Sequence, residues 1–169
     1  IYKSGEKINI TGKVINKGLA DKKGLKVVLK NNEQVFYTSS VFDLGIGKEY
    51  NFNASLIQFV SFVLKIESAD VVVKENVEVV KPNIEISIDA PTVVGSKDFD
   101  YVITLKNISS VVLNNNVKID IEGMALQSYD LIFEPNEIKT IKNKISINKN
   151  TDIKIFLYGD VEKTSSCNV

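Results

Sequence analysis

Histidine, arginine and tryptophan are absent from this chain, and cysteine and methionine occur once each. Without His there is neither the commonest general base nor the commonest metal ligand. Without Arg there is no bidentate fork for phosphate or guanine. The 21 basic residues are all Lys and are balanced by 21 acidic ones, so no net positive field collects a polyanion, which argues against nucleic acid as a partner. The lone Cys167 excludes an internal disulfide. The longest apolar stretch, Leu56 to Ile66, is interrupted by Gln58, Ser61 and Lys65, so it is not a membrane-spanning helix. Ala, the best helix former, occurs five times against 21 Ile and 21 Val. β-Branched side chains suit a pleated, half-buried surface, and the composition favours an all-β fold.

What is present is repetition. Ile8, Ile10, Gly12 and Val14 alternate and close on Asn16; Phe99, Tyr101, Ile103 and Leu105 alternate and close on Asn107, a constant offset of 91 residues (99 against 8). The same offset relates Phe62, Leu64 and Ile66 to Ile153, Ile155 and Leu157. A period near 90 residues is the size of a small antiparallel sandwich and too long for a solenoid repeat. Period-two segments at roughly 8–12-residue spacing and no sustained helical pattern point the same way. The expected architecture is two tandem immunoglobulin-like antiparallel β-sandwiches, residues 1–81 and 82–169, joined at Lys81-Pro82-Asn83. Ile84, Ile86 and Ile88 open the second repeat, and subtracting 91 places their counterparts before residue 1. The first sandwich should therefore lack its opening strand within this chain and have either an exposed edge, which invites another strand, or a substitute strand. An Ile at position 1 and no signal-peptide pattern suggest a piece of something longer.

Between the strands, Asn16-Lys17-Gly18, Asn31-Asn32-Glu33, Gly45-Ile46-Gly47-Lys48 and Glu134-Pro135-Asn136-Glu137 read as turns. Leu25, Val27 and Leu29 read as one strand, and Val71 to Val80 as another with a bend at Glu75-Asn76. Asn107 to Asn116 reads as a polar connection, Met124 to Tyr129 as a turn, and the residues around Cys167 as a polar tail. Structural turn roles fall to Asn16, Gly18, Asn107, Gly45, Gly47 and Pro135.

No catalytic, cofactor-binding or metal-binding constellation emerges. Asp98/Asp100, Glu75/Glu78, Asp120/Glu122 and Glu134/Glu137 are near pairs of carboxylates, but no calcium-loop spacing accompanies them. No Gly-x-Ser-x-Gly, phosphate loop or Cys-x-x-Cys occurs. Gly45 to Lys48 precedes a strand rather than a helix and is a turn. Of three Asn-x-Ser/Thr sequons, those at Asn9 and Asn53 sit between inward residues and should face solvent, where a glycan fits. Asn107 has the parity of the buried row and should make a turn instead. Tyr37, Tyr50, Tyr101, Tyr129 and Tyr158 could stack sugars only if the fold gathered them on one face.

The run Gly5-Glu6-Lys7-Ile8-Asn9-Ile10-Thr11-Gly12-Lys13-Val14-Ile15-Asn16-Lys17-Gly18 resembles the signature of the prokaryotic cell-adhesion-related (CARDB-like) domains. Leu44 to Phe52 is similar to that family's turn and following strand, with Ile46 where Pro is usual. In the second repeat Ala90-Pro91, Gly95, Phe99 to Asn107 and Glu134 to Glu137 keep the outline, with Ser109 and Asn136 in place of turn glycines. The resemblance implies an immunoglobulin- or fibronectin-type sandwich outside the cell, as in archaeal S-layer-associated surface proteins, and brings no catalytic residues or cofactors with it. The expected role is a non-enzymatic stalk, spacer or protein-interaction module whose partners are other modules of the same polypeptide or surface assembly. A strand-exchanging filament subunit and a carbohydrate-binding accessory module are the alternatives.

Overall fold

A computed structural model describes residues 1–91, 97–147 and 149–169; Gly95 of the sequence reading lies outside them. The chain divides into two compact units, Ile1–Lys81 and Pro82–Val169. Unit 1 contains β1 (Tyr2–Lys3), β2 (Lys7–Ile15), β3 (Lys22–Leu25), β4 (Val28–Asn31), β5 (Gln34–Thr38), β6 (Phe42–Leu44), β7 (Glu49–Ile57), β8 (Phe62–Ser68), β9 (Val71–Val77) and β10 (Val79–Val80). Unit 2 contains β11 (Ile84–Asp89), β12 (Lys97–Asn107), β13 (Leu113–Ile121), β14 (Gln127–Phe133), β15 (Ile138–Ile147), β16 (Asp152–Gly159) and β17 (Lys163–Asn168). The fold is all-β, and among the described residues no helix is long and apolar enough to cross a membrane.

Unit 2 is the more complete sandwich. One sheet has the order β11-β12-β15 and the other β14-β13-β16-β17, all antiparallel. Alternation drives the packing: Tyr101, Ile103 and Leu105 face inward from the first sheet and meet Val117, Ile119, Ile153, Ile155 and Leu157 of the second. Asp98 and Asp100, of the opposite parity, are exposed.

Unit 1 repeats this plan with departures. Its sheets are β2-β7 and β5-β4-β8-β9, with two small ladders, β3-β6 and a parallel β1-β10, beside them. Parts of two ladders correspond: Ile8 opposes Leu56 as Phe99 opposes Ile145, and Lys22 opposes Leu44 as Leu113 opposes Phe133, whereas the register shifts between Lys22 and Leu25 and between Leu29 and Lys30 have no counterpart in unit 2. The expected single strand through Leu25, Val27 and Leu29 is interrupted, because β3 and β4 together occupy the place of the continuous β13. At the break Val27 N–H donates to Ser39 Oγ (2.9 Å), while Ser39 N–H donates to Val27 O (2.9 Å), so no buried backbone group is orphaned.

Several strand boundaries differ from the sequence reading. Asn114, Asn115 and Asn116 lie inside β13 rather than in a polar connection, and Gln127 to Tyr129 belong to β14. Strand β9 runs through Glu75 and Asn76 without a bend; the interruption comes at Glu78. Cys167 sits in β17 opposite Ile153 and not in a loose tail. Cross-strand pairing overrides local polarity: outward or edge positions accept Asn, Ser or Lys at little cost, and the buried Asn115 donates to the carbonyls of Tyr158 and Val161.

Gly12 illustrates how the repeats diverged. It opposes Phe52, whereas its counterpart Ile103 opposes Ile141. A Cβ on Gly12 would collide with the Phe52 ring, whose Cε1 lies 2.8 Å from that position. A small-large pair thus replaces two medium side chains in the same layer. Gly12→Ala is expected to destabilise unit 1 by about 1–3 kcal/mol through overpacking, read as a lower denaturant midpoint. The double variant Gly12→Ala/Phe52→Leu should recover part of the loss.

Candidate functional site

The chemistry-bearing residues are dispersed. Asp98 and Asp100 project from β12 into solvent, where Asp98 pairs with Lys144 at 3.3 Å. A hydrogen bond from Ser146 and the nearby Lys144 hold the Asp98 carboxyl below its usual range. Asp120 and Glu122 line a shallow groove with Asp152 and Lys154, and Glu122 is paired with Lys149 at 2.6 Å. Glu137 folds back on its own turn, accepting Glu134 N–H at 2.8 Å and Lys139 Nζ at 2.8 Å. Among the described residues no group of three or more Asp, Glu or Cys is placed to hold a metal ion.

Nor do the tyrosines form a row. Tyr101 is fully buried, with its phenol pushed up by burial. Tyr50 is half-buried and stacks flat on Phe42 at 3.7 Å. Tyr158 alone among the five is substantially exposed, and Lys118 Nζ lies 5.1 Å from its ring centroid. Asn9 and Asn53 are exposed on the outer face of the β2-β7 sheet, opposite Ser55 and Thr11 respectively.

Asn16 and Asn107 make corresponding bonds in the two units, Asn107 more of them. Asn107 Nδ2 donates to the carbonyls of Val111 (2.8 Å), Glu134 (3.0 Å) and Phe133 (3.3 Å), while its Oδ1 accepts Ser109 N–H (2.9 Å) and Ser109 Oγ–H (2.6 Å). Asn16 Nδ2 donates to Ala20 O and Leu44 O, both at 2.9 Å, and its Oδ1 accepts Gly18 N–H at 3.0 Å. Phe133 and Leu44 are the ends of β14 and β6, across the sandwich from β12 and β2, so each amide ties one sheet to the other. The turn that follows is also shared. Gly47 (φ 71°) and Asn136 (φ 63°) take the left-handed position, closed by Lys48 N–H to Gly45 O and Glu137 N–H to Glu134 O. Pro135 and Ile46 precede that position, and a fixed φ suits Pro there.

The feature that most resembles a binding surface is the outer edge of β2. In unit 2 the corresponding edge of β12 carries β11. In unit 1 no strand pairs with it among the described residues. A groove of about 430 Å³ runs beside that edge, lined by Ile8, Ile10, Thr11, Leu64, Val77 and Glu78 among others. The offset led to the expectation of an exposed edge or a substitute strand here; the groove's second wall on β9 and its floor at Leu64 required the tertiary structure.

Comparisons with known proteins add little. No family model matches the sequence, and no curated protein matches it. One solved structure to which the chain is similar is red sea bream transglutaminase, with 10% identity and a TM-score of 0.39 over 98% of this chain. This chain spans 29% of that one, and a likeness at that level carries no functional argument.

Replacing Asn107 by Ala strands several buried polar groups, each costing about 1–3 kcal/mol. Unit 2 is expected to lose about 3 kcal/mol in chemical denaturation, and Asn16→Ala should lower unit 1 by less, since its amide makes fewer bonds. A separate prediction concerns acid. Lys30 and Lys65 face each other directly across β4 and β8, a repulsive placement relieved by Glu67, which lies 2.7 Å from Lys30 Nζ and 2.9 Å from Lys65 Nζ. Hydrogen bonds from Lys30 and then Lys65 depress the Glu67 pKa. A depressed carboxylate stabilises above its unfolded pKa, and that contribution vanishes as pH falls through the folded value. Unit 1 should therefore lose stability below the usual carboxylate range, about pH 4, and Glu67→Gln should flatten that part of its midpoint-against-pH curve.

Proposed function

We propose that the chain is a non-catalytic spacer and protein-interaction module of a prokaryotic, archaeal-type cell-surface protein, working outside the cell. The observation that carries this reading is the repetition of one sandwich. Both units close the same strands on the same Asn-centred turn, and only Lys81, Pro82 and Asn83 separate β10 from β11. A joint this short, with φ fixed at its middle residue, leaves little freedom for a flexible tether. Repeated rigid bodies on short joints suit the setting of one thing at a distance from another.

The dispersal of the carboxylates over separate strands supports a role that does not require converging chemistry. Exposure of Asn9 and Asn53 on one outer sheet face suits glycan attachment in an extracellular setting. The sheet-to-sheet amide at Asn107 leaves its side chain no room for the same modification.

The spacer role is tested by pulsed electron spin resonance between nitroxides in the two units. Labels at Asn51→Cys and Lys142→Cys, both on exposed positions, in a Cys167→Ser background should give one narrow distance distribution. A broad distribution, as from a chain of freely jointed beads, would overturn the spacer reading.

A further inference from the structure

Apart from the groove beside β2, unit 2 carries a shallow groove of about 510 Å³ on the outer face of its four-stranded sheet. Register sets its lining in two rows across three strands. Asn116 of β13 stands between Asp130 of β14 and Tyr158 of β16, and Asn114 stands opposite Ile132 one pair further along. All five share the outward parity, since their odd-numbered neighbours Val117, Leu131 and Leu157 pack on the core. Tyr158 forms one wall and Ile132 with Asp130 the other, and the two amides of β13 are the floor. Adjacent strands lie about 4.8 Å apart, so the strands that carry the walls are about 10 Å apart.

The fold does not require an aromatic ring at position 158. The offset of 91 makes Glu67 its counterpart in unit 1, where the carboxylate is held between Lys30 and Lys65. In unit 2 the Tyr158 ring is 47% exposed. Phe156 (centroids 6.4 Å apart, planes within 17°) and Lys118 Nζ (5.1 Å from the centroid) approach it from the row on the side away from Asn114. The polar groups of the groove are held but not used up. Asn116 Nδ2 donates to Asp130 Oδ1 (2.8 Å) and Ser128 Oγ (3.0 Å). Asp130 Oδ2 and the side-chain amide of Asn114 take no partner among the described residues. Beneath the groove Asn115 Nδ2 donates to Tyr158 O (3.1 Å) and Val161 O (2.7 Å), and Asp160 bonds both backbone groups of Asn114. A Cβ at Gly159 would lie 2.5 Å from Asn114 O, so only Gly lets the two strands meet this closely. The walls are set before a ligand arrives, which lowers the ordering cost of binding.

We propose that this groove binds a neutral pyranose unit of a glycan, stacked on Tyr158. The chemistry of the lining selects the occupant. An aromatic ring presents a negative face, which attracts the weakly positive C–H groups on the apolar side of a sugar. A sugar hydroxyl both donates and accepts, and the groove sets a free carboxylate oxygen, which only accepts, beside an amide that does both. Asp130 disfavours an anionic sugar, and Lys118 at the ring disfavours a cation. Strands β13 and β16 are each paired on both sides, so the groove offers no free backbone edge to an extended peptide. The inference goes beyond the spacer reading and does not depend on it: the distance measurement decides that role, and a sugar titration decides this one.

The test uses the whole chain, isotope-labelled, with amide shifts followed by NMR. Cellotetraose, maltotetraose, mannotetraose and chitotetraose are the probes, each titrated to about 10 mM to reach millimolar affinities. At least one should shift the amides of Asn114, Asn116, Asp130 and Tyr158 in a saturable way, while those of unit 1 stay in place. Tyr158→Phe keeps the ring and should hold the affinity within about threefold. Tyr158→Glu, which installs the unit 1 side chain, should weaken it at least about tenfold. Asp130→Ala should weaken it by a similar factor, about tenfold. Should a variant not fold, the place of the shifts in the unaltered chain decides. The proposal is overturned if none of the four probes shifts these amides, or if the shifts fall outside the groove. It is also overturned if Tyr158→Glu binds as the unaltered chain does, or if Tyr158→Phe loses as much as Tyr158→Glu.

Discussion

Each sandwich hangs on a buried side-chain amide that speaks for several backbone groups at once. A strand ending at the rim of a two-sheet fold leaves carbonyls pointing into apolar space, and water cannot reach them without opening the core. Asn107 shares the two hydrogens of its Nδ2 among three such carbonyls and takes up the Ser109 N–H and hydroxyl with its Oδ1. Asn16 does the same work with fewer partners. Because the carbonyls belong to the opposite sheet and to the loop between, the amide sets where β2 and β12 stop and where the crossing to the second sheet begins. Asp in its place would present oxygen to oxygen, and Gln would overreach; the geometry selects Asn.

Around that constraint the two copies have diverged in ways that keep strand pairing and hydrogen bonding rather than residue identity. Gly12 with Phe52 stands for Ile103 with Ile141. The Ser39 hydroxyl patches a strand break that the continuous β13 does not have. Ser109 and Asn136 serve where Gly18 and Gly47 serve in the other unit. Among the described residues no strand pairs with the outer edge of β2, and Val71 and Val73 on β9 are half exposed or more.

The legible part of the fold was the part written in period two. Ile8, Ile10 and Val14, and Tyr101, Ile103 and Leu105, alternate so regularly that their inward face could be assigned without coordinates. The turns were legible because left-handed positions select Gly and Asn. Strand β17 was not, since Lys163-Thr164-Ser165-Ser166-Cys167 on a sheet edge carries no apolar alternation. Asn114 to Asn116 were misleading for a related reason: three amides in a row read as a loop, yet Asn115 is buried in β13 and donates to Tyr158 O and Val161 O.

By itself the sequence determined the class of fold, its duplication and the joint at Lys81 to Asn83, because side-chain alternation and a constant offset are properties of the chain alone. Only the tertiary structure decided which strands face each other, how the Asn amides bridge the sheets, that the tyrosines scatter, and that the open edge borders a groove with an apolar floor. Those facts depend on residues far apart in the chain meeting across two sheets, and no local pattern encodes such a meeting.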